Sequence, residues 1–182
     1  MKKALIVLVA LLCLAGITNA QGKFGVSVQG ALSLPMGDFG DACKTGFGGL
    51  GTFTYTLNKN LDIVATAGYL TYDYKNIDGA TFSTIPVLGG VRYYFAAKNF
   101  KPYVTGELGV YSSKAKIKTV IWGVSFESES TSTDFGFAAG GGFLYQMGKN
   151  LDLDVTATLN SISTSGSSSS FINVLAGVHF AF

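Results

Sequence analysis

Eight stretches of this chain alternate, residue by residue, between apolar side chains and small or polar ones. In the first, Phe24, Val26, Val28 and Leu32 alternate with Gly25, Ser27, Gln29 and Ser33. In the seventh, Leu151, Leu153, Val155, Ala157 and Leu159 alternate with Asp152, Asp154, Thr156, Thr158 and Asn160. A period of two marks an extended strand, whose successive side chains point to opposite faces. Each stretch is about the length a tilted strand needs to cross a bilayer. No helical period separates them, so the crossovers of a parallel sheet are absent and consecutive strands must pair as antiparallel hairpins. The pattern predicts an all-β fold, an eight-stranded antiparallel up-and-down transmembrane barrel.

Which face looks outward separates a soluble barrel from a membrane one. The strand charges Asp62, Arg92, Glu107, Asp152, Asp154 and His179 all share the parity of the small and polar side chains. The other face carries almost no charge, and in water it would form an apolar belt larger than soluble proteins expose. In a membrane that face meets lipid, and the six charged or titratable residues become a polar network in the lumen. Arg92 is expected within salt-bridge distance of Asp62 or Glu107, its neighbours on the two adjacent strands. The connections alternate in character. Three are tight, around Lys59, Lys98 and Lys149, each with Lys-Asn before a large apolar residue. Four are longer and polar: 35–45, 75–82, 114–133 and 163–170. Short turns at one rim and long loops at the other imply periplasmic turns and termini and extracellular loops.

The N-terminus reads as a cleaved signal peptide over residues 1–20, leaving a barrel domain over 21–182. Lys2 and Lys3 form a basic start, Ala4 to Leu14 is apolar, and Thr18-Asn19-Ala20 supplies small residues at the cut. The apolar run is too short to span a bilayer as a helix. Leu12 before Cys13 does not fit a lipoprotein signal, and Cys43 is then the only cysteine, which leaves no internal disulfide and no zinc site. Losing Lys2 and Lys3 lowers the 13 basic residues to 11, against 11 acidic ones. A near-neutral chain has no basic stripe for nucleic acid.

The C-terminus ends on Phe182, with Phe180, Val178 and Ala176 on the same parity. This resembles the signal read by the barrel-assembly machinery. The whole mature chain resembles the small outer-membrane β-barrels typified by OmpX and the OmpA barrel. The segment from Leu34 to Asp41 followed by Lys44-Thr45-Gly46-Phe47-Gly48, and Tyr93-Tyr94-Phe95, resemble versions common in Bacteroidetes. The resemblance implies an outer-membrane location, with membrane lipid and lipopolysaccharide around the barrel. It leaves the role open between envelope integrity and surface contact with an unidentified protein.

Chemistry is sparse. Gly46-Phe47-Gly48-Gly49-Leu50-Gly51 matches a dinucleotide fingerprint, but it lies inside a strand with no helix to hold a pyrophosphate. No G-x-S-x-G or H-E-x-x-H occurs, and His179 is the lone histidine. Asp152 and Asp154 share a face, yet two carboxylates do not make a metal site. No catalytic residue, cofactor or metal is expected. An eight-stranded barrel is only wide enough for its own side chains, and Gln29, Tyr72, Arg92, Tyr94, Tyr103, Glu107 and Tyr111 are large enough to fill much of it. A structural or surface-interaction protein is therefore the leading expectation. The alternative is a lipid-modifying enzyme or a narrow small-solute or ion channel. The third long connection is the candidate contact surface. Val120, Trp122, Val124 and Phe126 share one parity there, and β-branched and aromatic residues favour a strand. The fifth and sixth strands are expected to continue outside the membrane as a protruding hairpin with its tip near Trp122 to Ser125.

Overall fold

A computed structural model describes residues 24–75, 80–95, 99–121, 124–164 and 167–182, without the side chains of 117–121, 124–128 and 167. The expected signal segment, Lys98 and Trp122 lie outside the described residues. The alternating stretches form eight strands: β1 (Phe24–Met36), β2 (Gly46–Asn58), β3 (Leu61–Asp73), β4 (Ala80–Tyr94), β5 (Phe100–Ile121), β6 (Val124–Gln146), β7 (Leu151–Thr164) and β8 (Ser167–Ala181). Each pairs antiparallel with its chain neighbour, and β8 returns to β1, so the sheet closes. Closure leaves no open edge within the wall, the condition for crossing lipid with strands.

The parity holds around the barrel. Val28, Phe47, Val87, Leu108, Phe137 and Val178 face outward and are exposed. Ser27, Gln29, Thr66, Thr84, Thr156 and Asn173 face inward and are buried. At the rim carrying the tight turns, outward rings gather in pairs: Phe24 with Tyr55, Tyr93 with Phe95, Phe100 with Phe143, and Phe180 with Phe182. Aromatic girdles of this kind sit where the apolar band meets the headgroups. Ala176, Val178 and Phe180 lie on this outer face, and Phe182 is half-buried beside them.

The glycine motif at 46–51 lies in β2. A Cβ on Gly48 would sit 2.9 Å from Leu70 Cα. The glycine therefore allows β2 and β3 to approach closely at a curved wall, and no helix follows to receive a nucleotide.

Two long connections are not loops. β5 and β6 run for 22 and 23 residues, against 13 to 15 for the other six strands. They pair with each other as far as Ile121 and Val124. Polar composition likewise made 163–170 look like a loop, but β7 and β8 pair through Thr164 and Ser167. Serine and threonine are compatible with a strand when the facing strand supplies ladder hydrogen bonds, as β7 and β8 do for each other here.

The first long connection departs from expectation differently. It contains a helix, α1 (Gly37–Ala42). Gly37 turns the chain out of β1 with a φ of +57°, a conformation that only glycine adopts cheaply. Asp38 then lies in the first turn, where the helix dipole favours an acid. A helix this short needs tertiary contacts to persist, and it has them in the mouth of the barrel opposite the tight turns.

Candidate functional site

The lumen is layered. Near the turn rim, the Tyr94 hydroxyl donates to Asp62 Oδ2 at 3.0 Å, and Lys101 Nζ lies 3.6 Å from Asp152 Oδ2. These residues and His179 line a vestibule of about 270 Å³ at this end. Above it lies the charged centre. Asp154 on β7 is fully buried. Its Oδ2 accepts from Ser27 Oγ at 2.7 Å, and its Oδ1 accepts from the Tyr103 hydroxyl at 2.6 Å and Thr156 Oγ1 at 3.2 Å. Arg92 Nη1 lies 3.5 Å from Asp154 Oδ2, and the guanidinium carbon is 4.2 Å from the centre of the Tyr103 ring. A buried ion pair persists only when other hydrogen bonds satisfy it, and Asp154 collects three.

Asp154 is not the partner expected from the sequence. Asp62 stands opposite Arg92 in the β3–β4 register, yet neither Asp62 nor Glu107 forms a salt bridge with Arg92. The reason is geometric. Parity sends all these side chains inward, but a long arginine in a narrow lumen reaches the far wall. Glu107 instead accepts from Thr105 Oγ1 at 3.3 Å.

The structure also brings together a serine and a histidine that sequence reasoning left apart. Ser27 Oγ lies 3.0 Å from His179 Nδ1. The single hydroxyl proton of Ser27 goes to Asp154, so His179 must donate to Ser27. A nucleophile needs the reverse, with the imidazole taking the serine proton. Both side chains are buried, and the contact joins β1 to β8 on the lumen side.

The half of the lumen away from the tight turns is largely apolar. Phe39 of α1 inserts into a cup of aromatic rings. Its centroid lies 5.2 Å from Tyr72, 5.4 Å from Phe82 and 6.2 Å from Phe171. Leu50, Leu70, Ile162 and Leu175 continue the cluster below. Lys75 holds the plug in place, donating from Nζ to the Gly40 carbonyl at 2.5 Å and from its backbone N–H to Ala42 at 2.9 Å. Cys43 ends up 2% exposed beneath it, and burial pushes its thiol pKa up. Between plug and charged centre is a cavity of about 20 Å³, room for a water molecule but for no solute.

Outside the barrel stands the β5–β6 hairpin. β6 meets β7 only from Phe135 onward. Val124 to Asp134 therefore have β5 on one side and no β7 partner on the other. At ~3.3 Å per residue this edge, free among the described residues, runs for about 36 Å. Of the four residues proposed as its contact surface, the backbones of Val120, Val124 and Phe126 lie in the hairpin, and their side chains are not described. On the described part Lys116 Nζ lies 2.5 Å from Glu129 Oε1, and that hydrogen bond lowers the Glu129 pKa.

Residues 4–182 match the family described as the outer membrane protein beta-barrel domain. No curated protein matches the chain. Among solved structures, Neisserial surface protein A is 22% identical with a TM-score of 0.65, covering 87% of this chain and 97% of that one. Ail, the attachment invasion locus protein of Yersinia pestis, solved with the heparin analogue sucrose octasulfate, is 17% identical with a TM-score of 0.63, covering 90% and 100%. The outer membrane protein OprG from Pseudomonas aeruginosa is 16% identical with a TM-score of 0.57, covering 89% and 96%. Identities this low establish a shared fold.

Proposed function

The chain belongs to the outer membrane protein beta-barrel family, and on that premise we propose that it works by surface contact, through the free edge of its protruding hairpin. The observation that carries this reading is the unpartnered stretch of β6 from Val124 to Asp134. A row of unpaired backbone N–H and C=O groups is a template for a strand from another protein. Natural proteins usually cover or shorten such edges, and this one is long. The hairpin projects from the rim opposite the tight turns. We therefore read the turns and both termini as periplasmic and the hairpin as extracellular, following the usual asymmetry of these barrels. Residues 1–20 fit the export signal this route requires, and the outward face of β8, with Phe182, fits an assembly signal. Lipid and lipopolysaccharide would surround the apolar band.

The lumen supports the same reading by what fills it. Phe39 and its aromatic cup occupy the outer mouth, and the Arg92–Asp154 layer occupies the centre. Ser27 and His179 are oriented against nucleophilic attack, which favours a non-enzymatic role. The test replaces residues 114–131 with Asn-Gly, joining the register partners Ser113 and Ser132 by a tight hairpin turn. Cells carrying the intact protein should bind one or more proteins on an array of purified extracellular proteins, and cells carrying the shortened barrel should lose that binding. Unchanged binding by the shortened barrel refutes the assignment. Unit conductance steps in planar bilayers, or a protein-dependent change in lipid A mass, would favour the channel or the enzyme instead.

A further inference from the structure

Midway along the lumen, the cavity of about 20 Å³ is lined by Arg92 of β4, Glu107 of β5 and Asn173 of β8, together with hydroxyl and amide side chains such as Gln29, Thr66 and Asn160. Among the described residues, four buried side-chain atoms have no hydrogen-bond partner: Arg92 Nε, Arg92 Nη1, Glu107 Oε2 and Asn173 Oδ1. All four belong to residues lining this one cavity, and all three side chains are more than nine-tenths buried. Native proteins rarely leave such atoms unsatisfied.

The count of donors and acceptors identifies the ligand. Two of the atoms donate and two accept. A water molecule accepts two hydrogen bonds and donates two. We propose that the cavity is a binding site for a single ordered water, which accepts from Arg92 Nε and donates to Glu107 Oε2 and Asn173 Oδ1, while Arg92 Nη1 stays turned toward Asp154 Oδ2, 3.5 Å away. The volume agrees, since one water needs about 10–15 Å³ measured in this way. The charges agree too. An anion would meet the Glu107 carboxylate and a cation would meet the Arg92 guanidinium, so a neutral ligand with both donor and acceptor capacity is required. The proposal is independent of the surface reading of the hairpin.

The site has a structural consequence. β4 and β8 stand four strands apart in a ring of eight, on opposite walls. The water therefore ties opposite walls across the lumen, beside the direct tie from Arg92 to Asp154 on β7. A molecule held by three bonds in a cavity this small is an ordered part of the structure.

Arg92 is the only arginine in the chain, so its Nε–H resonance is unambiguous in a selectively labelled sample. In lipid nanodiscs that proton should show cross-relaxation with a long-lived water. Ala138→Leu fills the cavity from β6, where Ala138 faces Glu107 in register. This variant should lose the cross-peak while keeping the far-ultraviolet spectrum of a barrel. A crystal structure resolving solvent should show one peak in hydrogen-bond reach of Arg92 Nε, Glu107 Oε2 and Asn173 Oδ1. Absence of the cross-peak in the unmodified protein, its persistence in a folded Ala138→Leu barrel, or a direct Arg92–Glu107 hydrogen bond with no solvent peak would each overturn the proposal. If Ala138→Leu does not fold, the unmodified protein's cross-peak and solvent density decide it.

Discussion

Removing the negative partner of the buried ion pair should cost more than removing the positive one. Asp154 is held by Ser27, Tyr103 and Thr156 as well as by Arg92. When Arg92→Met takes the guanidinium away, the carboxylate keeps three hydrogen bonds, and the methionine replaces much of the lost stem. The expected cost is about 1–3 kcal/mol, from the lost ion pair and the contact over the Tyr103 ring. Asp154→Asn is harsher. It takes from the guanidinium the one carboxylate within salt-bridge distance among the described residues, and it turns one acceptor oxygen into a donor amide facing other donors. Breaking a buried pair from one side typically costs about 3–5 kcal/mol. The double variant Arg92→Met, Asp154→Asn removes the guanidinium as well, so it should be more stable than Asp154→Asn alone, with a coupling of at least about 2 kcal/mol. Equilibrium unfolding in urea from lipid vesicles, followed by far-ultraviolet circular dichroism, measures all three. A larger loss for Arg92→Met than for Asp154→Asn, or additive losses in the double variant, would refute the account of the lumen.

Three further outcomes follow from the same contacts. Cys43 on intact cells should react slowly with an impermeant maleimide, because it is buried and its thiol pKa is raised; Phe39→Ala should accelerate labelling at least tenfold, and an unchanged rate would mean that Phe39 does not close the mouth. Gly25→Ala should destabilise the barrel by about 1–3 kcal/mol, as overpacking does, because the new Cβ would lie 2.6 Å from Thr54 Oγ1 and 2.7 Å from His179 Nε2; thermal unfolding reads the loss, and His179 ring shifts should report the displaced ring. Glu129, with its pKa lowered by Lys116, should stay paired above the usual carboxylate range and release only as pH falls through a midpoint below 4.5; carboxyl carbon shifts should show that midpoint, and a value at or above 4.5 would mean that the pair does not form in solution.

The architecture was legible because a barrel wall is written in period two. Parity alone placed Asp62, Arg92, Glu107, Asp152, Asp154 and His179 inside, and alternation at 114–133 revealed strands where length suggested a loop. What parity does not encode is distance across the lumen. It tells which face Arg92 occupies, and it says nothing about whether a side chain six bonds long stops at Asp62 or reaches Asp154. The same limit hid the meeting of Ser27 with His179, which are 152 residues apart in sequence. The β7–β8 extension was missed for a different reason. Its serines carry no hydrophobic signal, and their strand character comes from the neighbouring backbone. Phe39 was invisible as a plug because a lone aromatic in a glycine- and aspartate-rich connection has no period at all. Gly37 was the one local cue, a residue suited to the sharp turn that sends the chain back over the mouth.

The central claim is that the β5–β6 hairpin stands outside the cell with an accessible edge while the tight turns face the periplasm. In a Cys43→Ser background, single cysteines at Ser130 and at Lys149 test it directly on intact cells with an impermeant thiol reagent. The account predicts rapid labelling at position 130 and none at 149 until the outer membrane is permeabilised. Labelling at 149 with protection at 130 would invert the topology and contradict it.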